Sequence, residues 1–151
     1  MTTRSRWGIS PRERVRRECV RRGEDAVIAG CIALLKGEEG EEGDEVDPEL
    51  IYALGGPPAR WAITGGESGP TYWLRVWAAR GLLYAYDQSA SGPIIDALSD
   101  EHWRVREMAA KVCGRHRVED ALPQLSDLAR DPRVRVQRAA ERAAIRITTT
   151  Q

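Results

Sequence analysis

Three stretches of this chain repeat at a fixed interval. Leu74-Arg75-Val76-Trp77-Ala78 is matched by Val105-Arg106-Glu107-Met108-Ala109, 31 residues later, and again by Val136-Gln137-Arg138-Ala139-Ala140 after another 31. The same period links Tyr72, Trp103 and Val134, which the pattern places on the buried side, and it links Gly81, Val112 and Ala143. A unit of this size is too small to bury its own apolar stripe. Copies of it must stack on one another to form a continuous core, and that requirement narrows the fold more than any other feature.

Within each copy the apolar spacing is helical. Val105, Met108 and Ala109, and Val112 follow i, i+3/i+4 and i+7, as do Val136, Ala139 and Ala140, and Ala143. Shorter helices are expected between these. Pro93-Ile94-Ile95-Asp96-Ala97-Leu98 resembles Pro123-Gln124-Leu125-Ser126-Asp127-Leu128 at an offset of 30. Asp100 and Asp131 fall where each turn enters the longer helix, and their carboxylates can accept from the unpaired amides there. The unit is therefore a helical hairpin.

The earlier part of the chain carries helix punctuation without the repeat. Ser10 followed by Pro11 and Glu13 reads as an N-cap with proline at the first helical position, opening a helix to about Arg22. Gly23 stops it, and Glu24 and Asp25 begin a second helix ending at Lys36-Gly37, with Ala26, Val27, Ala29, Gly30, Cys31, Ala33 and Leu34 as its apolar side. Residues 37–49 carry eight acids and no base, which reads as a mobile loop. Asp47-Pro48 opens a short helix through Leu54. Residues 55–70 are dense in Gly and Pro, with room for one turn at Arg60–Thr64. These boundaries describe one domain over 1–151: a hairpin or cap at 1–36, the acidic loop at 37–49, a short helix and Gly/Pro-rich loop at 50–70, and the repeats at 71–147.

Composition removes several classes of function. No window approaches the roughly 18 unbroken apolar residues of a membrane helix, and no apolar segment follows the basic Met1–Arg6, so a cytoplasmic protein is expected. Cys19, Cys31 and Cys113 form neither a disulfide framework nor a metal-ligand spacing. The acidic loop lacks the order of an EF-hand. His102 and His116 are 14 apart, and no nucleophile, phosphate-loop or metal-protease motif is present, so neither catalytic residues, cofactor nor metal is expected.

The pattern Asp-x4-Val-Arg-x2-Ala between short helices resembles HEAT repeats of the short type, including the HEAT-like repeats of phycobilisome lyases. Asp100, Val105, Arg106 and Ala109 match it in full. The next copy has Asp131, Val136 and Ala140 but Gln137 in place of Arg, and the earlier copy has Leu74, Arg75 and Ala78 but Gly69 in place of Asp. The resemblance covers about residues 71–147. It implies an all-α fold, a short right-handed α-solenoid of HEAT-like helical hairpins. In that family the Asp and Arg commonly form a ladder between repeats, which the two departures would leave partial here. Such solenoids mostly present surfaces to partners.

Net charge is zero, yet charge is segregated. Residues 1–22 carry eight Arg and two Glu, and residues 101–147 carry eleven bases against seven acids. Arg135, Arg138, Arg142 and Arg146 fall on one helix face, and the period aligns them with Arg104, Glu107, Lys111 and Arg115. This makes Arg104, Lys111, Arg115, Arg135, Arg138 and Arg142 a candidate basic ridge on the concave, second-helix face, suited to an acidic protein segment. The competing structural reading is a solvated face with local pairs such as Glu107–Lys111. Arg12, Arg14, Arg16, Arg17, Arg21 and Arg22 surround the first helix. They suit an anion-binding arm, a helix docked on the body or acidic loop, or a plain solvated helix. Trp61, Trp73 and Trp77, with Arg60, Glu67 and Arg75 nearby, would line an aromatic pocket if the Gly/Pro segment folds over them, or would serve as core.

A non-enzymatic protein-interaction module is the leading expectation. The alternatives are a nucleic-acid binder related to HEAT-like alkylpurine DNA glycosylases, with Glu67 and Asp87 as the carboxylates near the tryptophans, and an accessory lyase-like or chaperone-like protein holding a small molecule in the aromatic pocket. Neutral net charge weighs against nucleic acid, and the sequence leaves oligomeric state and partner open.

Overall fold

The computed structural model of the chain describes residues 8–37 and 46–149. Most of the acidic 37–49 segment and the basic residues before Gly8 lie outside them. The described residues form helices joined by turns, with no β-strand. The chain divides into two compact units, Met1–Ala85 and Tyr86–Gln151.

The first unit contains α1 (Pro11–Arg22), α2 (Glu24–Lys36), α3 (Pro48–Gly55), the short α4 (Trp61–Thr64) and α5 (Tyr72–Gly81). Ser10 caps α1 by accepting from the Glu13 amide at 3.2 Å, and Asp47 caps α3 by accepting from the Glu49 amide at 2.9 Å. Gly23, at φ 92°, makes the turn between α1 and α2 that an L side chain would resist. Helix α1 packs on α2, α3 and α5, and α2 and α3 both pack on α5. Val15, Val27, Ile28, Cys31, Leu34, Leu50, Leu54 and Trp77 are buried. The expected apolar side of α2 is rotated. Ala26 and Ala29 are exposed, while Ile28 and Leu35 are buried, because the larger side chains gain more by leaving water.

The second unit contains α6 (Ser91–Ala97), α7 (Trp103–Arg115), α8 (Leu122–Leu128) and α9 (Val134–Thr148). Helix α6 packs on α7, α8 on α9, and α7 on α9, so two hairpins stack through their second helices. Helices α5, α7 and α9 begin at Tyr72, Trp103 and Val134, at the interval read from sequence. The shorter helices follow it too. Helices α6 and α8 begin at Ser91 and Leu122, and the 3-10 turns before them at Gln88 and Glu119. The register there is 31 and not 30: Ala90 and Ala121 are equivalent and fully buried, as are Ile94 at 0% and Leu125 at 1% exposure. Pro93 and Pro123 stand one place apart in the two helices, because proline fits any position of a helix's first turn.

Small residues set the α7–α9 approach. Ala109, Ala110, Ala139, Ala140 and Ala143 are buried, and a Cβ placed on Gly114 would lie 2.9 Å from the Ala143 Cα. Val105, Val112 and Val136 fill the remaining space at 0% exposure. Val134 departs from its expected buried place and is exposed, and Tyr72 and Trp103 are half-buried.

The Asp–Arg ladder is present between these two hairpins. Arg106 on α7 donates through Nε and Nη2 to Asp131 at 2.7 and 3.3 Å, and through Nη1 to the Asp100 carbonyl at 2.8 Å. Asp100 and Asp131 each accept from the amide two residues on, His102 and Arg133, both at 2.9 Å. Gln137, in the Arg position, donates to the Asp131 carbonyl at 2.6 Å, so it keeps the local half of the arrangement.

Candidate basic interface

The second-helix face of the second unit is built on α7 and α9. Helical spacing brings Arg135, Arg138 and Arg142 to one side of α9, and Arg104, Lys111 and Arg115 to the matching side of α7. Lys111, Arg115, Arg138 and Arg142 are exposed and make no ion pair with a described residue.

The two rows meet around Trp103. The guanidinium carbons of Arg104, Arg133 and Arg135 lie 4.6, 5.0 and 5.1 Å from the centre of its ring. Contacts of this kind contribute about 0.5–1 kcal/mol each when exposed. Their larger effect is to hold three cations in one place. Arg135 is fixed further by a two-pronged bond to Glu107, Nε to Oε2 at 2.8 Å and Nη2 to Oε1 at 3.0 Å. Glu107 is therefore not the partner of Lys111 that i, i+4 spacing suggests. It is buried and is met by Arg135 from the neighbouring helix α9. His102 caps α7, its Nδ1 accepting from the Arg104 amide at 3.2 Å.

Sequence reasoning missed Arg133, whose place at the N-cap of α9 gives it no phase on the helix face, and it read Trp103 as core. The period did carry a usable signal, since it aligns Trp103 with Val134 and thus sets Arg104 and Arg135 side by side.

The N-terminal arginines are largely engaged. Arg17 pairs with Glu13, Arg21 with Glu18 and Glu49, and Arg22 with Glu18 and Asp47. Helix α1 is thus docked on the start of α3 rather than simply solvated. Hydrogen bonds from the Glu49 amide and from Arg22 hold the Asp47 carboxyl below its ordinary value. Arg14 turns inward, and Arg12 and Arg16 are exposed.

The tryptophans of the first unit do come together. Trp61, Trp73 and Trp77 line a cavity of about 390 Å³ with Gly55, Pro58, Gly69, Pro70 and Arg80. Trp73 and Trp77 are stacked at 6.3 Å. Arg60 and Glu67 are exposed and do not line it; Arg80 supplies its charge. Gly55 explains part of the Gly/Pro motif, because a Cβ there would lie 2.7 Å from the Trp77 ring. Trp77 is buried while Trp61 and Trp73 are half-buried, so the cluster is both core and cavity wall.

Burial pushes the thiols of Cys31 and Cys113 up to about 12. No group of His, Cys, Asp and Glu among the described residues is arranged to hold a metal. No helix among them is long and apolar enough to cross a membrane.

The family model for HEAT repeats matches residues 63–146. The chain belongs to the HEAT-repeat family. The match spans α5 to α9, including the Asp131–Arg106 ladder, and extends eight residues before the expected start at 71. It carries the repeat architecture and no narrower subfamily, phycobilisome lyases included. Among curated proteins, no match is found.

Proposed function

We propose that this HEAT-repeat chain is a protein-interaction module that binds an acidic segment of a partner on the concave face formed by Arg104, Lys111, Arg115, Arg135, Arg138 and Arg142. HEAT repeats are well suited to such a role, since a stack of hairpins offers an extended face without needing an enclosed site. The observation that carries the reading is the set of exposed cations that pair with no carboxylate among the described residues, Lys111, Arg115, Arg138 and Arg142, together with three guanidiniums gathered at Trp103. A surface cation normally loses little by staying solvated, but a row of one sign attracts an extended partner of the other. Arginine adds two-pronged recognition of carboxylates, and Trp103 adds a flat apolar surface at the centre of the charge.

The test is calorimetric titration of the chain with a flexible Asp/Glu-rich peptide at several salt concentrations. Binding should weaken steadily as salt rises, and Arg138→Glu with Arg142→Glu should abolish it while leaving the helical signal intact. No peptide binding at low salt would remove the reading. Tighter binding to duplex DNA than to the peptide, with a steep salt slope, would replace it with a nucleic-acid role.

A further inference from the structure

Two arginines of the first unit are buried in part and form no ion pair with a carboxylate among the described residues. Arg14 reaches from α1 and Arg80 from α5 to the C-terminal end of α3. Arg14 donates through Nε to the Ala53 carbonyl at 3.0 Å and through Nη1 to the Ile9 carbonyl at 2.6 Å. Arg80 donates through Nη2 to the Leu54 carbonyl at 2.8 Å. Neither makes an ion pair with a described residue, and Arg80 Nε is buried with no hydrogen-bond partner among them.

Capping α3 accounts for their position but not for their charge. The end of a helix carries about half a negative charge, against two full positive ones. Loss of water lowers the pKa of both guanidiniums, and for Arg80 the neighbouring Arg14 lowers it further. A half-buried charge left unbalanced is costly, and a bound anion is the direct way to offset it.

The two side chains share a cavity of about 560 Å³ whose other walls are Ile9, Pro11, Gly55, Pro57 and Pro58. Gly56 makes room for the Arg14 guanidinium, since a Cβ there would lie 2.7 Å from its central carbon. This cationic chamber adjoins the tryptophan cavity, and Gly55, Pro58 and Arg80 line both. A flat apolar body therefore fits on one side of Arg80 and an anionic group on the other. With only two guanidiniums and otherwise apolar walls, the donors suit one planar carboxylate and not a polyphosphate.

We propose that the first unit binds a small aromatic carboxylate, its carboxylate held between Arg14 and Arg80 and its ring among Trp61, Trp73 and Trp77. None of these residues belongs to the basic face proposed for the second unit, and the proposal does not rest on that reading.

The whole chain would be titrated with 1-naphthaleneacetate by calorimetry, with 1-naphthaleneacetamide as the uncharged control. Saturable one-to-one binding is expected, weaker by about tenfold or more for the amide, which corresponds to losing one charge-assisted contact. Arg14→Met and Arg80→Met should each weaken acid binding to a similar degree while leaving amide binding little changed. Trp73→Leu should weaken both ligands, and Arg138→Glu neither. An N-acetylated dipeptide ending in tryptophan that binds more tightly than the free acid would keep the site and assign its natural ligand to a chain terminus. Equal affinity for acid and amide would overturn the proposal. So would unchanged acid binding in an Arg14→Met protein whose helical signal matches the parent, or absence of saturable binding.

Discussion

Replacing Asp131 by alanine should cost more than replacing its partner Arg106 by glutamine, although the two form one ion pair. The Asp131 side chain is 3% exposed and Arg106 is 15% exposed. Asp131→Ala leaves the Arg106 guanidinium under the α7–α9 seam with only the carbonyls of Asp100 and Glu101 to receive it. It also removes the acceptor for the Arg133 amide at the start of α9. Stranding a buried charge costs about 3–5 kcal/mol, and the lost cap falls within that range because the same atoms are involved. Arg106→Gln is different, because Gln137 demonstrates what glutamine does at this position: it reaches the equivalent backbone carbonyl. Asp131 would still accept from the Arg133 amide and sit at the positive end of α9, so about 1.5–3 kcal/mol is expected. Urea unfolding followed by far-ultraviolet circular dichroism gives both values if the slopes agree. The double variant should lose less than the sum of the singles, by about 1–3 kcal/mol. An Asp131→Ala protein within about 1 kcal/mol of the parent, or an Arg106→Gln protein less stable than Asp131→Ala, would refute the reasoning.

Three further outcomes follow from the packing and the titrating groups. Gly114→Ala should lower stability by about 1–2 kcal/mol despite alanine's better helix propensity, because the new methyl meets the Ala143 backbone; Gly92→Ala, with nothing within 4 Å, should be neutral or stabilising in the same unfolding assay. Iodoacetamide at mildly alkaline pH should leave Cys31 and Cys113 unmodified until the chain unfolds, as read by peptide mass spectrometry. Their folded pKa of about 12 lies above the ordinary 9.0, so the stability they contribute is complete below pH 9 and lost as pH rises towards 12. Asp47 titrates in the other direction: its folded pKa is lowered, so its contribution is present above the ordinary 3.8 and lost as pH falls through the folded value. Asp47→Asn should flatten the acid limb of a stability profile.

The helical architecture was legible from sequence because both of its signals are local or periodic. The i, i+3/i+4 spacing around Val105 and Val136 identifies helices, and Ser10, Gly23 and Asp47 mark their ends through bonds made within four residues. The 31-residue interval then gives the stacking of α7 on α9, since equivalent positions in a repeat meet equivalent neighbours. That Arg135, Arg138 and Arg142 share one side of α9 was legible for the same reason, as it needs only helical phase.

What tertiary structure alone decided is which charges meet. Glu107 has Lys111 one turn away on its own helix, yet it pairs with Arg135 across the seam, 28 residues distant. Arg14 and Arg80 lie 66 positions apart with nothing in their spacing to link them, and they converge only because α1 and α5 both pack against the end of α3. Arg60 and Glu67, close in sequence to the tryptophans, stay outside the cavity those tryptophans line. Backbone periodicity fixes the side of a helix on which a residue stands, while a long side chain can choose among several acceptors, and the packing of neighbouring helices determines which of them lies within reach.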